Sequence, residues 1–114
     1  MFVKYFILDH QRNGTFYHEF YKGKWDGKTF WKSDSIFLHD DFLFLVDGFV
    51  DAIIDVVPYY NPYGETEISI DQWNKIGKII TRKDAKSQEV YYEADRWLKE
   101  QVFPEHKCFT ILGI

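Results

Sequence analysis

Hydrophobic positions along this chain change their period near residue 40. Before it, residues 2–8, FVKYFIL, are rich in β-branched and aromatic types and read as a largely buried strand. The next two apolar stretches, TFYHEFYKGKW and KTFWKSDSIFL, carry aromatics on both alternating sets. Asn13-Gly14 and Asp26-Gly27 separate the three stretches, and both are hairpin pairs because the central residues of a type I′ turn need positive φ. Three antiparallel strands are therefore expected at about 2–9, 15–25 and 28–38. They would form a sheet with helices on one face and a partly aromatic second face.

From residue 40 the period is helical. Taking Asp47 as origin and about 100° per residue, Asp40, Asp41, Asp47, Gly48, Asp51, Ala52 and Asp55 share one arc of about 140°. Large apolar residues fill the rest, and only Phe44 enters the polar arc. One helix over 40–57 is predicted, with Asp40 and Asp41 in the first turn, where the helix dipole favours anions, and Pro58 as its stop. An aromatic loop, PYYNPYGE, and a short strand, TEIS at 66–69, come next. Ser69 with Gln72 has the spacing of a capping box and opens a helix on which Trp73, Ile76 and Ile80 share a face. A further helix at about 84–102 places Val90, Ala94, Trp97, Leu98 and Gln101 on one side, with Asp95 and Lys99 as an i,i+4 pair. The closing CFTILGI has no charge, so it is expected inside the sheet, since an edge this apolar invites aggregation. The order βββ-α-β-α-α-β makes an α+β fold with an antiparallel sheet of about four to five strands and three helices, in one domain spanning 1–114.

Composition narrows the class. Apolar residues are 46% and aromatic residues 20% of the chain, which excludes disorder and exceeds what the core of so small a domain can hold. Several tyrosines and a tryptophan are expected at a surface that a partner covers. Cys108 is the single cysteine, which rules out an internal disulfide framework and a multi-cysteine zinc site and suits a reducing compartment. The apolar run before Asp9 is too short for a signal peptide, and Asp47, Asp51 and Asp55 interrupt the best candidate for the roughly 18 apolar residues that a membrane span needs. A soluble, cytoplasmic protein is expected.

The formal net charge of −4 hides an asymmetry. No lysine or arginine lies between Lys32 and Lys75, a stretch holding Asp34, Asp40, Asp41, Asp47, Asp51, Asp55, Glu65, Glu67 and Asp71. Aspartates at i, i+4 and i+8 repel, each pair costing a few tenths of a kcal/mol. The bland account is a solvated helix face that keeps the protein soluble. The alternative is a surface for a basic partner, in which charges steer the encounter and Tyr59, Tyr60 and Tyr63 supply anchoring area.

Catalytic signatures are sparse. No phosphate loop, dinucleotide fingerprint, nucleophile elbow or zinc-protease helix is present. Cys108 in an apolar strand reads as a small core residue, and His39-Asp40-Asp41 as a helix start rather than a cation site. His10 and His18 are a weak general acid/base pair, better read as polar hairpin residues. Glu65 and Glu67 share one side of a short strand but lack the surroundings of a glycosidase pair. Lys22, Lys24, Lys28 and Lys32 read as a solvated hairpin tip with stems over Trp25 and Trp31. The acidic segment disfavours direct nucleic-acid binding. No catalytic residue, metal or cofactor is expected.

Two stretches, TEISIDQWNKI and the closing FTILGI, together with small size, an aromatic α+β domain and a concentrated acidic helix, resemble the immunity proteins of bacterial contact-dependent and polymorphic toxin systems. The resemblance covers the C-terminal half and carries over no family site. It implies a non-enzymatic partner that binds one cognate toxin domain in the cytoplasm. A nuclease toxin, with a positive cleft for a phosphate backbone, would match an acidic helix. The expected contact residues are Asp47, Asp51, Asp55, Tyr59, Tyr60, Tyr63, Glu65 and Glu67. The competing reading is a small-ligand module with an aromatic-lined pocket.

Overall fold

A computed structural model describes residues 5–113, and for 43–45 the backbone alone. Five antiparallel strands form one sheet: β1 (Phe6–Ile7), β2 (Tyr17–Lys22), β3 (Ile36–His39), β4 (Glu65–Ser69) and β5 (Cys108–Leu112), in the spatial order β1-β3-β2-β5-β4. Helices α1 (Asp40–Leu45), α2 (Asp47–Val56), α3 (Ile70–Ile80) and α4 (Ala85–Trp97) form the second layer. The α+β class, the element order and the internal position of the uncharged last strand agree with the sequence pattern.

Strand alternation divides the sheet into two faces. Phe6, Phe20, Ile36, Leu38, Ile68, Phe109 and Ile111 join the helices in the main core, around the fully buried Trp73. Trp73 stacks on Tyr91 at 4.4 Å and meets Phe109 edge-on at 5.4 Å. Its indole N–H donates to Asp95 at 2.9 Å, and Asp95 also holds Lys99 at 3.1 Å, the pair expected from the i,i+4 spacing. The capping box forms as predicted, Gln72 N–H donating to Ser69 Oγ and Ser69 N–H to Gln72 Oε1.

The first third of the chain departs from a meander of hairpins. β1 pairs with β3 rather than β2, so Asn13-Gly14 turns a longer loop instead of closing a two-residue hairpin. Residues 2–4 of the predicted first strand lie outside the described residues. Residues 23–35, expected to be strand on either side of Asp26-Gly27, form a loop. Asp26 caps it locally, accepting from Lys28 N–H and Thr29 N–H at 2.8 Å each. Its far end is held by Glu19 on β2, which is only 2% exposed and accepts from Trp31 N–H at 2.7 Å and Lys32 N–H at 3.1 Å. Those amides bind a side chain where a hairpin would have used a strand. Trp31 adopts φ 60°, a left-handed conformation costing a non-glycine residue on the order of 1 kcal/mol, and its ring stacks on Phe37. The cation lying over that ring is Arg12, at 4.0 Å, while Lys32 sits over Tyr21 and, with Lys22, beside Asp34. The predicted lysine-tipped hairpin is thus a loop packed across the aromatic face.

Both long helices have one irregularity each. The helix expected over 40–57 breaks at Val46 (φ −124°, ψ 56°), a fully buried residue that ends α1 and starts α2. The helix expected over 84–102 widens after Trp97 into a π turn at 98–102. The extra residue in that turn rotates the buried stripe, so Val102 is buried where Gln101 was predicted, and Gln101 is exposed.

Glu19→Ala leaves two loop amides without their acceptor. It is expected to lower unfolding free energy by about 2–3 kcal/mol in chemical denaturation and to speed amide hydrogen exchange at Trp31 and Lys32. A loss below about 0.5 kcal/mol with unchanged exchange would assign the anchoring to the Trp31–Phe37 stack instead.

Candidate functional site

The acidic helix owes its orientation to spacing. Phe49, Ala52 and Ile53 form the buried stripe of α2, completed by the fully buried Val57 at its C-cap. Ala52, read in the sequence as part of the polar arc, is buried, and Ile54, read as apolar face, is exposed. The buried stripe is narrower than the sequence pattern and turned toward Ala52. Gly48 permits the tight approach to α4, because a Cβ there would come within 2.8 Å of Ser87 Oγ and 2.9 Å of Asp84 Oδ1. What remains outward is Asp47, Asp51, Ile54 and Asp55, all exposed. Among the described residues, none of the three aspartates takes part in an ion pair.

The tyrosines expected beside this helix part company. Tyr59 is exposed and its hydroxyl accepts from Gln72 Nε2 at 3.1 Å, which tethers it to the start of α3 near the helix layer. Tyr60 packs half-buried against the core, and burial reinforced by the negative charge of Asp40 pushes its hydroxyl up to about 12. Tyr63, 75% exposed, is carried to the other side of the sheet. Its loop is fixed by Asn61, whose side chain accepts from Tyr63 N–H, and by Gly113, whose N–H donates to Gly64 O at 2.7 Å. A Cβ on Gly113 would lie 2.0 Å from Pro62 O, so this approach requires glycine. Glu65 and Glu67 are exposed on the β4 face turned away from the helices. Of the eight predicted contact residues, Tyr60 packs against the core, and the other seven fall on two sides of the sheet, with Asp47, Asp51, Asp55 and Tyr59 on one and Tyr63, Glu65 and Glu67 on the other.

On that second side, expected from the sequence to be partly aromatic, lies a groove whose lining residues the pattern did not name. Two adjoining depressions, about 540 Å³ and 420 Å³, share Phe30, Tyr63 and Gly113. Phe16 and Trp31 line the first, Trp25, Glu65 and Leu112 the second. Phe16, Phe30 and Tyr63 are each more than half exposed. Phe16 and Phe30 follow Asn13-Gly14 and Asp26-Gly27 by two or three residues, so the available signal was an aromatic beside a loop-forming pair rather than inside a strand.

The histidines do not converge. His18 is 1% exposed on the helix face of β2, and its Nε2 meets Asp40 Oδ1 at 2.8 Å. His10 is exposed in a 3-10 turn at Asp9–Gln11. His39 is the N-cap of α1, its Nδ1 accepting from Asp41 N–H. Cys108 is partly buried, and its thiol is pushed up by burial and then by the neighbouring Glu67 charge. Among the described residues no group of three or more histidine, cysteine, aspartate or glutamate side chains is arranged to hold a metal ion. No helix there is long and apolar enough to cross a membrane. No family model matches the chain, and neither a curated protein nor a solved structure matches it.

His18 gives the fold a pH dependence. Burial lowers its pKa below the ordinary 6.5, outweighing the opposing pull of Asp40. The unfolded chain therefore binds the proton more readily, so stability is full above pH 6.5 and falls as pH drops from there through the folded pKa. His18→Gln keeps a donor for Asp40 and cannot titrate, so denaturation midpoints compared at pH 7.5 and 5.5 should fall less in the variant than in the parent chain. Equal acid losses in both would remove His18 as the source.

Proposed function

We propose that this chain is a non-enzymatic binding protein of the toxin-immunity kind, which acts in the cytoplasm by covering a basic, nuclease-type toxin domain. The observation that carries the reading is the α2 surface, where Asp47, Asp51 and Asp55 stand exposed in register and, among the described residues, form no ion pair. A positively charged cleft would relieve their mutual repulsion. Exposed Ile54 lies among the carboxylates and exposed Tyr59 at the helix end, and these supply the apolar area that charge alone lacks. Long-range attraction speeds the encounter, and the acidic rim rejects partners of like charge.

An enclosed pocket would have favoured a small molecule. Such sites bury about 70–90% of their ligand, whereas the groove here has Phe16, Phe30 and Tyr63 as walls, each more than half exposed. That geometry offers a small molecule contact on one side and suits a broader partner.

The test is association with the product of the neighbouring reading frame, where this reading places a toxin domain. Replacing Asp47, Asp51 and Asp55 together by lysine should slow association about tenfold or more at low salt, and the difference should shrink as salt rises. The variant should fold about as well as the parent chain, since three lysines repel one another as the aspartates did while lysine is the better helix former. Unchanged association rates would exclude α2 as the interface, and absence of any complex with the adjacent product would sink the immunity reading itself.

A further inference from the structure

The sheet order leaves β4 at an edge, and its hydrogen-bond phase can be read directly. Gly113 N–H donates to Gly64 O at 2.7 Å and Ile70 N–H to Lys107 O at 3.1 Å, two pairs in register with the β4–β5 ladder. Antiparallel bonding alternates along a strand, so Thr66 and Ile68 turn their backbone groups toward β5, and Glu65, Glu67 and Ser69 turn theirs outward. The Ser69 N–H is taken by Gln72 Oε1. Among the described residues nothing within the chain bonds the N–H or C=O of Glu65 or Glu67. An unpaired edge is a template for another strand.

From this we propose that the β4 edge docks an extended segment of a partner protein bearing lysine or arginine at two alternate positions, with an apolar residue two places further on. The charge pattern follows from the register. Side chains opposite Glu65 and Glu67 lie on one face and two residues apart, and both glutamates are exposed and outside any ion pair among the described residues. The next position on that face falls beside Tyr63, where Trp25, Phe30 and Leu112 line the groove. A second copy of this chain fits poorly, because antiparallel β4–β4 pairing sets glutamate against glutamate, and like charges directly opposite are destabilising. This docking strand uses neither α2 nor its charges and stands independently of the immunity reading.

The probe is a cyclic β-hairpin peptide whose outer strand reads Lys-Thr-Lys-Thr-Phe, with a matched hairpin carrying glutamate in place of lysine, each titrated against the full chain. The lysine hairpin should slow amide hydrogen exchange at Glu65 and Glu67, change Trp25 fluorescence, and bind about tenfold more tightly than the glutamate hairpin. Glu67→Pro should abolish binding without unfolding the chain, since the proline replaces an N–H that points away from β5. Should that variant fail to fold, Glu65→Lys/Glu67→Lys serves instead and is expected to reverse the preference between the hairpins. Replacing Asp47, Asp51 and Asp55 by lysine should leave hairpin binding unchanged. The proposal is overturned if neither amide is protected, if the two hairpins bind equally, or if the α2 variant loses the hairpin. The last result would place the contact on the helix.

Discussion

The position of β5 between β2 and β4 is the constraint on which the rest of this molecule depends. It joins β2 to β4, so the sheet cannot close until residues 108–112 are in place. Each face of β5 then does a separate job. Phe109 stacks on Phe20 at 5.6 Å and receives Trp73 edge-on, which seats the helix layer. Thr110 on the opposite face donates its hydroxyl to Gly23 O at 2.9 Å and fixes the root of the 23–35 loop. Closing so distant a contact carries a loop entropy that only dense burial offsets, and the strand's lack of charge permits that burial. The same placement leaves β4 at the edge and its glutamates uncovered.

Carboxylates hold the loops of this fold in place with little help from cations. Glu19 collects the amides of Trp31 and Lys32, Asp26 those of Lys28 and Thr29, and Asp40 ties the start of α1 to His18 across the helix face. Charge-assisted bonds to backbone amides are about twice as strong as neutral ones, and they satisfy donors that irregular backbone would otherwise leave open. This explains how the irregular 23–35 loop is held in place across the aromatic face of the sheet.

What could be read from the sequence was what neighbouring residues decide. The Ser69–Gln72 box, the Asp95–Lys99 pair, the Trp73, Ile76 and Ile80 face and the burial of the uncharged last strand all rest on spacing within a few positions. The misreadings arose where a distant residue overrides local preference. Asp26-Gly27 has the chemistry of a tight hairpin, yet Glu19, twelve residues before Trp31, captures the amides that a hairpin strand would have paired. The 40–57 pattern is helical throughout, yet the backbone leaves the helix at the fully buried Val46. At the candidate site the acidic, outward face of α2 was legible because three aspartates at period four can share only one side. The separation of Tyr59 from Tyr63 was not, because the path of the loop between them is fixed by Gly113, far along the chain, through a contact that no local pattern announces.

The distribution of cations sharpens the significance of that face. Arg12 pairs with Asp9, Lys22 and Lys32 flank Asp34, Lys99 holds Asp95, and Arg96 meets Glu100. Basic residues are thus available to this fold and are placed beside acids on the strands, loops and α4, while among the described residues none pairs with an acid of α2. Lys75 and Lys78 on the adjacent α3 are exposed, yet neither reaches an α2 carboxylate in an ion pair. A lysine at any of the three aspartate positions would lessen the repulsion, since exposed positions on a helix tolerate most side chains. Stability alone therefore gives no reason for three like charges in register. A surface that must attract a basic body and repel acidic ones gives such a reason, because both effects grow with charge left uncompensated.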